Sequence, residues 1–222
     1  GIQIIQETEF PESNEINMRI DKSNSKHFPI HLRKPSWTRV NEIKVSVNGK
    51  KMNINSDKKG YITLNRKWKE GDIISYTLPM DLTLDQLPDG SDYYAFRYGP
   101  IVLASKVNSE DLKGLYADDS RMGHIANGKL MPLNQTPTLI GNPQNFTQHI
   151  KRSTTKPLSF IYDGMTEPSF SRLELIPFYQ LHNARYVVYF RQIESVEKLE
   201  KLRVEEKEKL ELEKQTEDVI YI

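Results

Sequence analysis

Apolar side chains recur at every second position in short segments of the first hundred residues. The first three segments are Ile16, Met18 and Ile20; Phe28, Ile30 and Leu32; and Ile43, Val45 and Val47. Similar segments follow at 61–64, 73–78, 94–98 and 101–103. A period of two places alternate side chains on one face of a strand. The pattern therefore predicts a series of short β-strands, each with one buried face.

Turn residues separate these segments. Asn48-Gly49 tolerates the positive φ angles of a type I′ turn and predicts a β-hairpin. A second turn is expected at 69–72 and a corner at Gly99-Pro100. Strands at a spacing of about 8–12 residues with turns between them are typical of a sandwich. We expect residues 1–106 to form the main strands of an all-β fold, an antiparallel β-sandwich.

Residues 107–156 lack this regular pattern. They include Pro132, Pro137 and Pro143 together with four glycines. Such a stretch is far longer than an ordinary loop, yet it contains many apolar residues, which a disordered tail would not. We expect a long irregular insertion that lies on a surface, either on the sandwich or on a domain outside this chain.

Strand character returns over 157–190, which we expect to close the sandwich. In 184–190 both alternating sets are apolar, with Tyr186, Val188 and Phe190 on one face and Val187 and Tyr189 on the other. Because both faces are apolar, this segment is predicted to be a central strand, covered on both sides.

Residues 191–218 have a different composition. They contain 7 basic and 10 acidic residues, a net charge of −3, and no glycine or proline. Most are good helix formers. Three pairs have the favourable i,i+4 orientation: Glu194–Lys198, Glu197–Lys201 and Glu205–Lys209. We predict a charged C-terminal helix, which either packs by a narrow apolar stripe or is a spacer to a further domain.

The overall composition excludes several function classes. The 222 residues carry 31 basic and 30 acidic side chains, a net charge of +1, so no basic stripe for nucleic acid is expected. The absence of cysteine excludes a disulfide scaffold, a thiolate zinc site and a cysteine nucleophile. No apolar run approaches the roughly 18–20 residues of a membrane-spanning helix, so no membrane is expected as a partner. Since Gly1 stands in place of methionine, we expect the chain to be cut from a longer polypeptide.

The densest polar cluster is 118–124, which contains Asp118, Asp119, Arg121 and His124. Its functional interpretation is a loop that contacts a sugar or a metal ion. The alternative is a turn in which an aspartate caps backbone N–H groups and Arg121 pairs with an acid. The spacing is not a specific metal motif, so no metal or other cofactor is expected.

A second polar group precedes the apolar segment 184–190. His182, Asn183 and Arg185 could form a polar edge that faces a ligand or a partner domain. Alternatively, they make buried hydrogen bonds that tie the irregular insertion to the sheet.

Trp37 and Trp68 are candidates for stacking on sugars, although isolated tryptophans also serve as core or edge packing. No catalytic residue emerges. None of the five histidines lies in a hydrolase or metalloprotease motif. Glycoside hydrolysis needs two facing carboxylates, and among 30 acids the sequence selects no pair.

Several motifs occur together in a fixed order. They are HLRKPSW (31–37), VSVNG (45–49), GYITL (60–64), Trp68 with Gly71-Asp72, LPM (78–80) and RYGPIV (97–102). This succession resembles the region after the catalytic barrel in glycoside hydrolase family 127, the β-L-arabinofuranosidase-like family. The segments 118–124 and 178–189 resemble a bacterial subgroup of it. The likeness covers most of residues 10–215.

The resemblance implies a module without catalytic residues. In that family an all-helical (α/α) barrel carries the catalytic and zinc-binding residues, whereas this chain has no cysteine and no comparable run of helices. It therefore implies a β-sandwich that braces such a barrel in the same polypeptide. The parent would be an enzyme for arabinose-containing, plant-type glycans, periplasmic or extracellular, and an oligosaccharide is a further possible partner.

Two other functions remain open at this point. One is a free-standing carbohydrate-binding module, which would use Trp37 or Trp68 as exposed anchors. The other is a structural, adhesin-like sandwich that acts through protein contacts and would expose a large apolar patch.

Overall fold

The computed structural model describes residues 1–24, 27–112, 131–132, 135–164, 170 and 172–217. Its contacts divide the chain into two compact units. The first unit comprises Gly1–Leu82 with Tyr98–Pro100, and the second comprises Thr83–Arg97 with Ile101–Ile222. The predicted division of the chain at 106, 156 and 190 remains a prediction.

The first unit is a sandwich of two antiparallel sheets. Its strands are β1 (Gln3–Thr8), β2 (Glu15–Lys22), β3 (His27–Arg33), β4 (Lys44–Val47), β5 (Lys50–Lys51), β6 (Tyr61–Lys67) and β7 (Ile73–Thr77). One sheet has the order β1-β2-β7-β4-β5, and the other pairs β3 with β6. Buried side chains of both sheets, among them Ile20, Leu32 and Ile74, form one core. The alternation of apolar residues therefore does identify the buried faces of these strands.

The hairpin predicted at Asn48-Gly49 is confirmed. Both residues have positive φ, 52° and 75°, as a type I′ turn requires. They join β4 to β5, and Val47 pairs with Lys50 across the turn.

The second unit is built on a nine-stranded sheet. Its strands are β8 (Leu82–Gln86), β9 (Tyr93–Tyr98), β10 (Ile101–Asn108), β11 (Thr138–Ile140), β12 (Ile150–Arg152), β13 (Phe160–Tyr162), β14 (Leu173–Pro177), β15 (Arg185–Val187) and β16 (Phe190–Ile193). The main order is β11-β16-β9-β10-β14-β13-β12, with β15 beside β10 and β8 beside β9. The pair β11–β16 is parallel. The ring centroid of Phe96 lies 5.6 Å from those of both Phe190 and Tyr162, which form part of the core.

These sheets confirm the predicted all-β sandwich class, but the prediction for 184–190 is wrong. The segment is not one central strand. Val187 pairs with Ser105 on β10, whereas Phe190 pairs with Tyr94 on β9. The chain changes partner strand between them, and the tyrosines 186 and 189 lie exposed. A tyrosine has an apolar ring and a polar hydroxyl, so an apolar pattern that includes tyrosines overstates burial.

The described part of 107–156 contains more regular structure than expected. Besides β11 and β12 it includes a 3₁₀ helix over Pro143–His149. Asn142 caps this helix, because its side-chain oxygen accepts a hydrogen bond from the Gln144 N–H at 3.0 Å. Leu139 and Phe146 are fully buried. These residues therefore belong to the core of the second unit.

The predicted C-terminal helix is present as α1 (Val196–Glu217). It begins after residue 191 because Phe190–Ile193 is a strand. Leu199 is buried, whereas Val204 and Leu212 are exposed, so the helix packs mainly by its first turns. Within the described ranges, no helix is long and apolar enough to cross a bilayer.

The ion pairs of this segment differ in part from the expectation. Glu194 and Lys198 pair at 3.1 Å as predicted. Lys201 and Lys209, however, pair with the glutamates four positions after them, Glu205 and Glu213. In addition, Arg191 on β16 lies 2.5 Å from Glu206 and ties the helix to the sheet.

Candidate functional site

The structure describes five of the nine predicted site residues. Asp118, Asp119, Arg121 and His124 lie outside the described residues. Of the other five candidates, Trp37 and Trp68 belong to the first unit, and His182, Asn183 and Arg185 belong to the second.

Arg185 is a structural anchor within the second unit. It follows the short 3₁₀ helix Phe178–Gln180 and begins β15. Its Nε donates to the carbonyl of Glu110 at 3.0 Å and its Nη2 to the carbonyl of Asp111 at 2.6 Å. These bonds tie 110–111 to β15, and the two interpretations of the group His182, Asn183 and Arg185 stay predictions. His182 and Asn183 are exposed, and Asn183 has φ +51°.

The two tryptophans lie in different environments of the first unit. Trp68 is fully buried, and its indole N–H donates to the carbonyl of Phe28 at 3.0 Å. The guanidinium of Arg66 lies 5.1 Å from its ring centroid. Trp37 is half-buried and stacks on Phe10, with ring centroids 6.3 Å apart and planes at 21°. Of these two tryptophans, only Trp37 has ring surface that a ligand could contact.

A pocket of about 630 Å³ with several charged lining residues lies on the outer face of β12, β13 and β14. Strand pairing aligns Lys151, Ile161 and Glu174 in one row across the three strands. Their neighbours in sequence, among them Phe160, Tyr162, Leu173 and Leu175, point to the other face and are buried. The period of two therefore separates an apolar core face from a charged outer face.

Two ion pairs organise the charges of the pocket. The Lys151 ammonium donates to the carboxylate of Asp163. Lys156 lies 3.2 Å from Glu174, and that carboxylate also accepts a hydrogen bond from the Ser159 hydroxyl at 3.2 Å. Both acids are therefore held by a lysine.

The pKa of Asp163 is shifted by these neighbours. The hydrogen bond from Lys151 is the main cause that holds its pKa below the usual value, and the charges of Lys151 and His149 act in the same direction. On the buried side of the same sheet, burial is the main cause that raises the pKa of Tyr162 to about 12, and the negative charge of Asp163 adds to it. Tyr162 is thus neutral at ordinary pH, and Asp163 is ionised.

A tight turn forms one rim of the pocket. The hydroxyl of Ser153 accepts hydrogen bonds from the N–H groups of Thr155 at 3.3 Å and Lys156 at 3.2 Å. It also lies 3.2 Å from the hydroxyl of Thr155. Such side-chain-to-backbone bonds fix a turn in the absence of any ligand.

A second cavity of about 390 Å³ adjoins the pocket. The two cavities share Arg172 and Glu174, and the second is lined further by Lys106 on β10 and by Phe170. The cavities therefore form one groove across the outer faces of β10, β14, β13 and β12.

This arrangement suits binding better than hydrolysis. A general acid in a glycosidase needs a raised pKa, whereas the pKa of Asp163 is lowered. Among the residues that the structure describes, no three histidine, aspartate or glutamate side chains come close enough to hold a metal ion. The pocket offers cations, hydroxyl groups and a half-buried isoleucine, which are groups that recognise ligands.

Sequence reasoning did not identify this pocket. None of the five predicted candidates that the structure describes lines it. A signal was present in Arg172, Leu173, Glu174 and Leu175, where charged and apolar residues alternate in a segment recognised as a strand.

The second unit also exposes a group of aromatic rings. They belong to Phe178, Tyr179, Tyr186 and Tyr189. The rings of Phe178 and Tyr186 contact each other, with centroids 5.1 Å apart and planes at 57°. Exposed aromatic rings of this kind are common at sites that contact proteins or ligands.

Two family models match the chain in succession. Residues 1–80 match the model described as beta-L-arabinofuranosidase, GH127 middle domain. Residues 83–192 match DUF4986, a domain of unknown function. The gap between the two matches falls where the contacts divide the chain, after Leu82. No curated protein matches the chain.

Solved structures share this fold over 86% of the chain. One is a GH127 beta-L-arabinofuranosidase from Geobacillus stearothermophilus T6, 21% identical with a TM-score of 0.58, of which this chain covers 31%. A GH127 beta-arabinofuranosidase is also 21% identical, with a TM-score of 0.58 and 32% coverage. A third structure, a glycoside hydrolase, is 18% identical, with a TM-score of 0.55 and 32% coverage.

This chain spans about a third of the length of those structures. At these identities the likeness shows the fold, whereas the family is indicated by the match over residues 1–80. The first unit is a two-sheet sandwich over the same residues. The chain thus contains a GH127-related region, formed by a sandwich of the GH127 middle-domain type.

Proposed function

We propose that this chain is a non-catalytic β-sandwich region of a GH127-type glycoside hydrolase that acts on arabinose-containing glycans. In this proposal it braces a catalytic (α/α) barrel that belongs to the same polypeptide. The observation that carries the proposal is the match of residues 1–80 to a domain described as the middle domain of a beta-L-arabinofuranosidase. A middle domain is by definition part of a longer chain.

Two further observations support a role without chemistry. The matched structures are about three times as long as this chain, so most of such an enzyme lies elsewhere. In the pocket on the outer face of β12–β14, both carboxylates are held by lysines. Neither carboxylate is therefore placed as a general acid.

An activity assay tests the proposal. The 222-residue chain and its parent polypeptide are incubated separately with an aryl β-L-arabinofuranoside, and release of the aryl alcohol is measured. We expect hydrolysis by the parent and none by the chain. Hydrolysis by the chain alone would overturn the non-catalytic role.

Bracing is tested by deletion of these 222 residues from the parent. We expect a lower melting temperature and loss of activity, because the barrel would expose the surface that this region covers. A parent that keeps both its melting temperature and its activity would rule out bracing.

A further inference from the structure

We propose that the pocket on the outer face of β12–β14 binds an acidic oligosaccharide and holds a sugar carboxylate by the guanidinium of Arg172. The anionic character of the ligand is inferred from the pocket alone. The choice of a saccharide as the carrier of that charge rests on the proposed function.

The charge of the pocket selects an anion. Its lining contains four cationic and two anionic side chains, a net charge of +2, whereas the whole 222-residue chain has a net charge of only +1. Asp163 and Glu174 each already have a lysine partner. Arg172 adds a further positive charge to this lining.

Arg172 is placed to make the main contact. It is exposed, and within the described parts of the chain it has no hydrogen bond or ion pair. A guanidinium offers a planar fork of donors that matches a carboxylate in a bidentate pair. Arg172 also lies where the two cavities meet, so it can reach a ligand in either of them.

The remaining lining suits the neutral parts of a sugar. The hydroxyl groups of the exposed Thr154 and Thr155 are able both to donate and to accept hydrogen bonds, as sugar hydroxyls require. Ile161 is half-buried in the centre of the row formed with Lys151 and Glu174. Together with the aliphatic stems of the lysines, it offers apolar surface to the C–H face of a sugar ring.

The size of the groove indicates more than one sugar unit. The pocket of about 630 Å³ is within the range of small-molecule sites, about 300–1,000 Å³. The adjoining cavity of about 390 Å³ extends it past Arg172. Phe170 lines this extension and provides an aromatic surface for a neighbouring ring.

Calorimetric titration of the 222-residue chain tests the proposal with three probes. They are a trisaccharide of galacturonic acid, a neutral galactose trisaccharide of the same length, and inorganic phosphate. We expect the acidic trisaccharide to bind at least 10-fold more tightly than either of the others. Its binding should weaken as salt is raised, because the pairing is partly electrostatic.

Two variants locate the binding. Arg172→Gln should weaken binding of the acidic trisaccharide at least 10-fold. Arg39→Gln removes an exposed arginine of the first unit that pairs with Glu42, so it should leave binding unchanged. Equal melting temperatures of the two variants would show that both remain folded.

Each contrary result overturns a defined part of the proposal. Equal binding of the neutral and acidic trisaccharides would refute anion recognition. Phosphate binding as tight as that of the acidic trisaccharide would refute the saccharide. No binding of any probe, or full binding by Arg172→Gln, would refute the site. These results are independent of the hydrolysis assay, so failure here is distinguishable from failure of the proposed function.

Discussion

The side-chain amide of Asn48 donates a hydrogen bond to the carboxylate of Asp72 at 2.8 Å, and this bond joins two turns that lie 24 positions apart. The carbonyl oxygen of the same amide accepts the N–H of Ile73 at 2.8 Å. The second oxygen of Asp72 accepts the N–H of Lys69 at 2.9 Å. Two of the sequence motifs, Asn48-Gly49 and Gly71-Asp72, are therefore parts of one structural network.

Replacement of Asp72 by alanine should destabilise the first unit by about 1–3 kcal/mol. The change would leave the Asn48 amide and the Lys69 N–H without their acceptor at a buried position. The free energy of unfolding from urea titration measures the effect. Asp21→Ala is the matched control, because it breaks an exposed ion pair with Arg19 that should contribute about 0–1 kcal/mol. Equal effects of the two changes would contradict the structural role of Asp72.

The contribution of Asp72 to the free energy of unfolding should decrease as the pH falls. Burial by itself would raise its pKa, but hydrogen bonds from Asn48 and Lys69, with the positive charges of Arg66 and Lys69, hold the pKa below the ordinary value of 3.8. A carboxylate whose pKa is lowered by folding stabilises the folded state above its unfolded pKa. That stabilisation is lost as the pH falls through the folded value.

The difference in unfolding free energy between the wild type and Asp72→Asn measures this dependence, because contributions of the other carboxylates largely cancel. We expect a constant difference well above pH 3.8 and a smaller one as the pH falls below it. A difference that grows toward acid pH would show that the pKa of Asp72 is raised instead.

Gly60 should tolerate alanine less well than Gly49. Both have positive φ, +77° and +75°, where a side chain costs about 1–2 kcal/mol. A Cβ on Gly60 would in addition lie 3.0 Å from the backbone carbonyl of Lys34, whereas one on Gly49 would meet nothing within 4 Å. We expect Gly60→Ala to be the more destabilising by about 1 kcal/mol in thermal unfolding. Equal losses would contradict the close approach to Lys34.

The two tryptophans should be distinguishable by fluorescence. Trp37→Phe leaves Trp68 as the sole tryptophan, and its emission should be blue-shifted and protected from acrylamide because the ring is fully buried. Trp68→Phe leaves Trp37, which should be quenched more readily. Trp68→Ala should also cost about 3–5 kcal/mol of stability. Equal quenching of the two single-tryptophan variants would contradict their placement.

The strands of the first unit could be predicted because their buried side chains are apolar residues at every second position of the local sequence. Ile16, Met18 and Ile20 all lie in β2. The same rule failed at 184–190, since tyrosines 186 and 189 count as apolar in the pattern yet are exposed. The partners of Lys201 and Lys209 were also missed, because each of these two lysines has a glutamate on both sides at a spacing of four.

The candidate pocket could not be predicted because it depends on register. Lys151, Ile161 and Glu174 are 10 and 13 positions apart in sequence, and only the pairing of three strands places them in one row. Periodicity shows which residues face outward, but not which strands become neighbours. The sequence also did not decide whether Trp68 is buried, because the residues around a tryptophan at a strand end resemble those around a tryptophan in the core.

The Ser153 hydroxyl has a consequence for whatever occupies the pocket. Since it already bonds the N–H groups of Thr155 and Lys156, that wall is shaped before any molecule arrives. An incoming molecule need not order a loop, so little conformational entropy is lost on association. The affinity would then depend mainly on how well the molecule fits the pocket in shape and charge. Replacing Ser153 by glycine should make the turn 153–156 more mobile and so weaken binding, although every charged side chain of the pocket is retained.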